Sequence, residues 1–166
     1  DKILRPDGKD GEFYLLNYKP ADSYAGVMVV ALAEHQKIVL VKIQRYPTQN
    51  TYWELPAGGA DLNKENTVKS AERELFEETG YTAKNFRQLF GEYLQIVGCS
   101  DMKGRVVLAE DLSAETSTID TGEGIFDVAS FSILEIDEMI KNGEIVDAQT
   151  ITALYYYKLH LADSQE

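Results

Sequence analysis

Residues 73–81, RELFEETGY, place three acids in the closing turns of a predicted helix that ends at Gly80. Glu74, Glu77 and Glu78 therefore lie near a helix C-terminus, where the aligned peptide dipoles already leave partial negative charge. Acids spaced four residues apart add a repulsion of about 0.2–0.5 kcal/mol. A compensating positive charge beside these acids would offset both costs.

The directions of the three side chains favour a shared ligand. At about 100° per residue, Glu74 and Glu78 point within about 40° of each other, and Glu77 points about 60° to the other side. The simplest alternative is a solvated acidic face, as on many surface helices. These acids, however, border the apolar stripe of the helix and follow a glycine-containing stretch, LPAGGADL. Carboxylates at this spacing can share a hard cation, which predicts an Mg²⁺ or Mn²⁺ site.

The composition restricts the class of protein. The chain has 166 residues, 44% of them hydrophobic and 27% charged, which suits one folded domain rather than a disordered or membrane protein. Its net charge of −12 argues against nucleic-acid and anionic-membrane partners, because both attract basic surfaces. A phosphorylated small molecule is compatible with this charge if a divalent cation neutralises its phosphates. No secretory leader opens the sequence and Cys99 is the single cysteine, so we expect a cytoplasmic location.

The hydrophobic pattern predicts one mixed α/β domain over residues 1–166. Strands are predicted at 12–18, 24–33, 37–45, 86–96, 104–110 and 125–131. Helices are predicted at 65–79, 134–142 and 148–161, with Gly80 and Gly143 as stops and Asp147 as an N-cap. We expect strands 24–33 and 37–45 to form an antiparallel pair, and residues 53–65 to form a loop.

The spacing of the helix and the stretch before it resembles a known family. Gly59 is followed after five residues by Glu65, and after seven more by the segment Arg73–Tyr81. This pattern, over residues 59–81, resembles the Nudix box, although Tyr81 stands in its final aliphatic position. The resemblance implies an α/β/α sandwich with a mixed β-sheet. It also implies metal-dependent hydrolysis of a nucleoside diphosphate linked to another group.

The resemblance also implies roles for residues of the box. Glu74 and Glu78 would be ligands of Mg²⁺ or Mn²⁺, and the backbone carbonyl of Gly58 would complete the coordination. Glu77 would lend charge to a further metal ion or to its water. Arg73 would orient the neighbouring carboxylates.

Outside the box the chain resembles the ADP-ribose pyrophosphatase branch of the family, in residues 44–46, 53–58 and 143–154. The branch implies that Arg45 and Glu54 bind the phosphates or the terminal ribose of the substrate. It also implies a general base at Glu123, in the stretch DTGEGI, where an ordinary acidic turn is the alternative. One position departs from the branch: Val97 stands where members acting on ADP-ribose usually carry proline.

The resemblance therefore predicts a pyrophosphatase of ADP-ribose or a related nucleotide sugar. A Nudix hydrolase of dinucleoside polyphosphates or damaged nucleotides, and a non-catalytic nucleotide-binding module, are the alternatives. The stretch 12–18 is apolar, and an exposed apolar strand tends to pair with another chain. In the resembled branch N-terminal strands pack across a dimer, so we expect residues 1–20 to contribute a strand to a homodimer. The alternative is that 12–18 pairs with 24–33 inside one subunit.

Overall fold

The structure is a computed structural model, and it describes residues 1–12, 14–16, 24–61, 65–115 and 124–164. The strands among them are β1 (Lys2–Leu4), β2 (Asp10–Glu12), β3 (Tyr24–Ala31), β4 (Ile38–Arg45), β5 (Asn50–Glu54), β6 (Ala57–Asp61), β7 (Tyr81–Leu94), β8 (Lys103–Ala114) and β9 (Ile125–Phe131). The helices are α1 (Thr67–Thr79), α2 (Ile133–Lys141) and α3 (Ala148–Asp163). In this part of the chain no helix is long and apolar enough to cross a membrane.

A mixed sheet lies at the centre of the described residues, with the strand order β6-β3-β8-β7. Strands β3 and β8 are parallel, whereas β6 and β7 run antiparallel to their neighbours. Successive side chains of a strand point to opposite faces, so Val27 and Val29 pack with Leu75 of α1, and Met28 and Val30 pack with Leu154 of α3. The sheet is thus covered by helices on both faces, which confirms the predicted α/β/α sandwich.

A second sheet, with the order β5-β4-β9, is antiparallel throughout its described strands. It carries Arg45 at the end of β4 and Glu54 at the end of β5. The ring of Trp53 packs edge-on against Phe131 of β9, with 5.0 Å between the centroids. This sheet therefore brings the predicted substrate-binding residues next to the central sheet.

The expected antiparallel pair of strands 24–33 and 37–45 is wrong. Strands β3 and β4 belong to different sheets, and among the described residues they share a single bridge, between Leu32 and Ile38. Strand β3 is apolar on both faces and is flanked by β6 and β8, so it has no free edge for β4. The connection also turns away through His35 and Gln36, which both adopt left-handed backbone conformations, with φ of 57° and 59°.

The prediction of a loop over residues 53–65 is also wrong. Strand β5 extends to Glu54, and β6 forms an edge of the central sheet by pairing with β3. Glycine-rich segments usually make poor strands. Here the small residues are required, because a side chain at Gly58 would collide with a carboxylate of α1.

Helices α1 and α3 begin at capping side chains, and the predicted N-cap at Asp147 is confirmed. Asn66 accepts the backbone N–H of Lys69 at 2.9 Å at the start of α1, and Asp147 accepts that of Thr150 at 2.7 Å at the start of α3. Helix α1 ends at Gly80, which is left-handed with φ of 71°. The predicted acidic helix and its glycine stop are confirmed.

The predicted strand over 12–18 is not formed by its described residues. Strand β2 pairs with β1 and ends at Glu12, and residues 14–16 lie outside any strand. The backbone N–H of Leu16 donates to the carbonyl of Cys99 at 2.8 Å, so this segment is bonded to a loop rather than to a strand ladder. Residues 13, 17 and 18 lie outside the described part of the chain.

Candidate active site

Two acids of α1 are buried against the backbone of β6. Glu74 is 5% exposed and Glu78 is 3% exposed. The Glu78 carboxylate accepts the backbone N–H of Ala57 at 3.0 Å. A Cβ atom built on Gly58 would lie 2.0 Å from Oε1 of Glu74, so only glycine leaves room for that carboxylate. Helix α1 therefore directs both carboxylates at residues 57–58.

Arg73 connects the acids of the box. Its Nη1 lies 2.9 Å from an oxygen of Glu74 and 2.9 Å from one of Glu77. Its Nη2 donates to Glu65 at 3.1 Å and to the carbonyl of Gly59 at 3.0 Å. Burial lowers the pKa of Arg73, but the hydrogen bond to Glu65 and the charge of Glu74 outweigh it and raise the pKa overall. The guanidinium is a permanent positive charge that holds these carboxylates in place.

The residues at 57–58 and on α1 offer oxygen ligands to a divalent cation. No three Asp, Glu, His or Cys side chains form a ready coordination shell in the ranges that the structure describes. The potential ligands are nevertheless all oxygen atoms, from the carboxylates of Glu74 and Glu78 and the backbone carbonyl of Gly58. Oxygen ligands suit a hard cation such as Mg²⁺ or Mn²⁺. The carboxylates of Glu74 and Glu78 are nearly inaccessible to water, and buried carboxylates need compensating positive charge. Arg73 supplies part of that positive charge to Glu74. A divalent cation bound beside Glu74 and Glu78 would supply further positive charge, so the site fits such a cation.

Arg45 and Glu54, the predicted substrate-binding residues, contact each other. Nε of Arg45 donates to one Glu54 oxygen at 3.1 Å, and Nη2 donates to the other at 2.6 Å. The Glu54 side chain is only 6% exposed, whereas that of Arg45 is 46% exposed. The hydrogen bond to Glu54 raises the pKa of Arg45 against the opposing effect of burial, and the charges of Glu78 and Asp147 raise it further. Glu54 therefore holds Arg45, and Arg45 presents the accessible charge.

A cavity of about 500 Å³ lies beside this pair. Its volume is in the range of sites for nucleotide-sized ligands. Its lining comes from β3, the β4–β5 hairpin, the start of β6 and the start of α3: Met28, Arg45, Pro47, Thr48, Tyr52, Glu54, Ala57, Val146, Asp147, Ala148 and Gln149. Ala57 belongs both to this lining and to the acid cluster, because its N–H binds Glu78. The cavity and the acid cluster thus meet at Ala57, in the edge strand β6.

Glu123, the predicted general base, lies outside the described residues. Its neighbour Gly124 is described, and the carbonyl of Gly124 accepts the backbone N–H of Gln44 at 3.0 Å. Gln44 directly precedes Arg45 in β4. The role of Glu123 as general base therefore stays a prediction.

Sequence reasoning did not assign Thr48, Tyr52 or Gln149, which line the cavity. Thr48 and Tyr52 lie in the hairpin between Arg45 and Glu54, and Gln149 lies in the segment 143–154 that resembles the branch. Proximity to those assigned residues was the one available signal. The cavity itself joins residue 28, residues 45–57 and residues 146–149, which are distant from one another in sequence, so no local pattern reveals it.

Comparison with known proteins agrees with this geometry. The model of the NUDIX domain matches residues 23–154 of the chain. The chain belongs to the Nudix family. This confirms the resemblance drawn from residues 59–81 and assigns the protein to the Nudix pyrophosphatases, which are hydrolases.

Relatives of this Nudix hydrolase match it over nearly its whole length. It is 33% identical over 161 residues to ADP-ribose pyrophosphatase of Bacillus subtilis (strain 168), covering 96% of this chain and 83% of that protein. It is 28% identical over 163 residues to the methanol dehydrogenase activator of Bacillus methanolicus, covering 98% and 84%. A crystal structure of an ADP compounds hydrolase has a TM-score of 0.84 and 18% identity, covering 98% and 84%, and supports the fold.

Proposed function

We propose that this Nudix hydrolase uses Mg²⁺ or Mn²⁺ to cleave the pyrophosphate bond of a nucleotide sugar, ADP-ribose or a related compound. The products are two monophosphates. The observation that carries the proposal is the convergence of buried Glu74 and Glu78 on residues 57–58, at the wall of a nucleotide-sized cavity. The similarity to an ADP-ribose pyrophosphatase over 96% of the chain supports the substrate class.

Each box residue has a role in this proposal. Glu74, Glu78 and the carbonyl of Gly58 would hold the cation, with Glu77 adding charge at the exposed side of the cluster. A bound divalent cation neutralises phosphate charge and makes water more acidic. Arg73 keeps the carboxylates of Glu74 and Glu77 in position through its two contacts at 2.9 Å.

Arg45 and Glu54 both line the cavity and have different roles. Arg45 binds phosphate oxygens through the exposed part of its guanidinium, a group suited to such contacts. Glu54 is a positioning residue, because its carboxylate is buried and contacts Arg45. Glu123 is proposed as the general base that removes a proton from the attacking water.

A substrate panel tests the proposal. Purified protein with Mg²⁺ is incubated with ADP-ribose, other nucleotide sugars, a diadenosine polyphosphate and an oxidised nucleoside triphosphate, and the products are separated by chromatography. We expect a nucleoside monophosphate and a sugar phosphate in equal amounts from a nucleotide sugar. Preferred cleavage of the diadenosine compound or the triphosphate would show that the substrate is a dinucleoside polyphosphate or a damaged nucleotide instead. Binding without cleavage would indicate a non-catalytic module.

Mg²⁺ or Mn²⁺ is expected to raise the melting temperature of the protein. A ligand that binds only the folded state stabilises it by about 2.7 kcal/mol at a hundredfold excess over its Kd. In a domain of this size that corresponds to about 5–10 °C. Thermal unfolding in chelator and in excess cation measures the shift. The control variant Glu72→Gln changes an exposed acid of the same helix and should show the same cation-induced rise in melting temperature as the wild type. Identical melting curves of the wild type with and without cation would contradict the proposed site.

We also propose that the protein is a homodimer. Tyr14 is 83% exposed, Leu16 is 60% exposed and Val97 is 77% exposed, and the bond from Leu16 to Cys99 brings the segments 14–16 and 96–99 together. Adjacent exposed apolar side chains of this kind mark association surfaces. Light scattering at micromolar concentration should give twice the mass of one chain. A mass of 18.6 kDa at full activity would reject the dimer.

The cytoplasm is the proposed location. The chain has a single cysteine, Cys99, so it lacks the pair needed for an internal disulfide. Proteins of oxidising compartments more often use disulfides. Fluorescence of a tagged chain in its own cell tests the location.

A further inference from the structure

Three glycines lie side by side across the central sheet. Gly26 of β3 pairs with Gly59 of β6 on one side and with Gly104 of β8 on the other. By strand alternation, Gly26 and Gly104 are on the face of Met28 and Val106, which pack in the core cluster beneath α3. The row therefore leaves space on the face of the sheet that also borders the cavity.

Uncharged polar groups fill that space. A Cβ built on Gly26 would lie 2.3 Å from Nε2 of Gln95 and 3.7 Å from Oε1 of Gln149. A Cβ built on Gly104 would lie 2.5 Å from the hydroxyl of Tyr93. Two amides and a phenol therefore gather over neighbouring glycines, where side chains of ordinary size could not coexist with them.

The Tyr93 hydroxyl is buried and has no hydrogen-bond partner among the described residues. Burying an unsatisfied hydroxyl opposes folding, and phenylalanine would fill the same volume without that penalty. Burial raises the pKa of Tyr93, and the charge of Asp147 raises it further, so the group stays protonated. It is able to donate a hydrogen bond to a group that enters from outside the protein.

The polar cluster adjoins the candidate active site. Gln149 lines the cavity, and its side-chain oxygen reaches the space over Gly26. Gly59 is one strand away from Gly26, a spacing of about 4.8 Å, and its carbonyl binds Arg73. A ligand group over Gly26 would therefore lie one strand from the β6 backbone on which the acids converge, on the sheet face covered by α3, whereas the acids approach from the face covered by α1.

We infer that Gln95 and Gln149, with the Tyr93 hydroxyl behind them, form an uncharged hydrogen-bonding subsite for the hydroxyls of the sugar on the substrate's non-nucleoside phosphate. Gln95 donates one N–H to the carbonyl of Lys103 at 3.2 Å, which leaves its second N–H and its oxygen for a ligand. Amides donate and accept at once, as sugar hydroxyls do. At the hairpin end of the cavity Tyr52 offers an aromatic ring, the kind of surface on which nucleobases stack. The nucleoside is thus assigned to the Tyr52 end and the second sugar to the glutamine end. This inference rests on the proposed function.

Apolar variants of similar size test the subsite. Gln149→Leu and Gln95→Leu remove the amides, and Tyr93→Phe removes one oxygen. The matched control is Gln88→Leu, an exposed amide of β7, the strand that ends one residue before Gln95. For each variant we would measure kcat and KM for ADP-ribose, the inhibition constants of the two products, AMP and ribose 5-phosphate, and the melting temperature.

We expect Gln149→Leu and Gln95→Leu each to raise the inhibition constant of ribose 5-phosphate and the KM for ADP-ribose by about tenfold. This is the factor expected for the loss of one hydrogen bond. The inhibition constant of AMP should stay within twofold. Tyr93→Phe should weaken ribose 5-phosphate binding as well, while its melting temperature stays equal or rises. Gln88→Leu should change none of these values.

Two outcomes, in a protein that cleaves a nucleotide sugar, would contradict the proposed subsite alone. If AMP binding weakens instead of ribose 5-phosphate binding, the nucleoside occupies this end. If neither changes in variants with unaltered melting temperatures, the polar cluster is only packing. A wild-type protein that cleaves no nucleotide sugar would overturn the proposed function and the subsite together. Normal cleavage with unaffected variants would overturn the subsite alone.

Discussion

Glu78→Gln is expected to lower kcat by about 10²–10⁴-fold while the fold is preserved. The substitution removes a cation ligand's charge, and a bound metal ion contributes several kcal/mol to stabilising charge in the transition state. It keeps the shape of the side chain and an oxygen that can accept the N–H of Ala57, which the carboxylate binds at 3.0 Å. Steady-state kinetics with ADP-ribose at saturating Mg²⁺ would measure the loss.

The stability of the same variant separates chemistry from folding. Glu78 is a buried negative charge at the C-terminal end of α1, where the helix dipole disfavours it. The free energy of unfolding in chelator should therefore stay equal or rise in Glu78→Gln. Glu72→Gln, on the exposed side of the same helix, should change neither kcat nor stability. A Glu78→Gln enzyme with nearly full activity would show that this acid holds no catalytic cation.

Glu123→Gln is expected to lower kcat by about 10²–10⁴-fold, the usual contribution of a general base. The change removes the proton acceptor and leaves the residues at 57–58 and on α1 intact. Cation affinity, measured by the melting-temperature shift, should therefore be retained. This pattern differs from that of Glu78→Gln, in which the rate and the cation-induced shift should fall together.

The outcome for Glu123 also locates the base if the prediction fails. Unchanged kinetics in Glu123→Gln would move the role to Glu77 or to another acid in residues 110–127. Glu77 is the direct comparison, because its side chain is 48% exposed beside the buried pair. If Glu77→Gln then lost rate without losing cation affinity, Glu77 would be the base.

Local features of the fold were predictable from the sequence. Helix α1 has its cap at Asn66, its apolar stripe and its stop at Gly80 within fifteen residues, so short-range chemistry defines it. The cap at Asp147 and the start of α3 follow in the same way. The acid cluster was predictable for the same reason, because Arg73, Glu74 and Glu78 share one helix.

Long-range pairing was not predictable in this way. Strands β3 and β4 are consecutive and apolar, which favours a hairpin, yet each residue of β3 pairs with a residue of β8 that lies 78 positions later in the sequence. The strand β6 reads as a loop because its glycines matter only once α1 brings Glu74 against Gly58. The contact of Glu54 with Arg45, and the cavity beside them, likewise depend on how separate elements pack.

The release of AMP from ADP-ribose should be measured against free Mg²⁺ for the wild-type protein and for Glu78→Gln. This measurement shows whether the buried acids Glu74 and Glu78 hold the cation that hydrolysis requires. We predict no release in excess chelator, a saturable rise with Mg²⁺ in the wild type, and a curve for Glu78→Gln that stays near the baseline. Full release in chelator, or equal curves for the two proteins, would contradict the account.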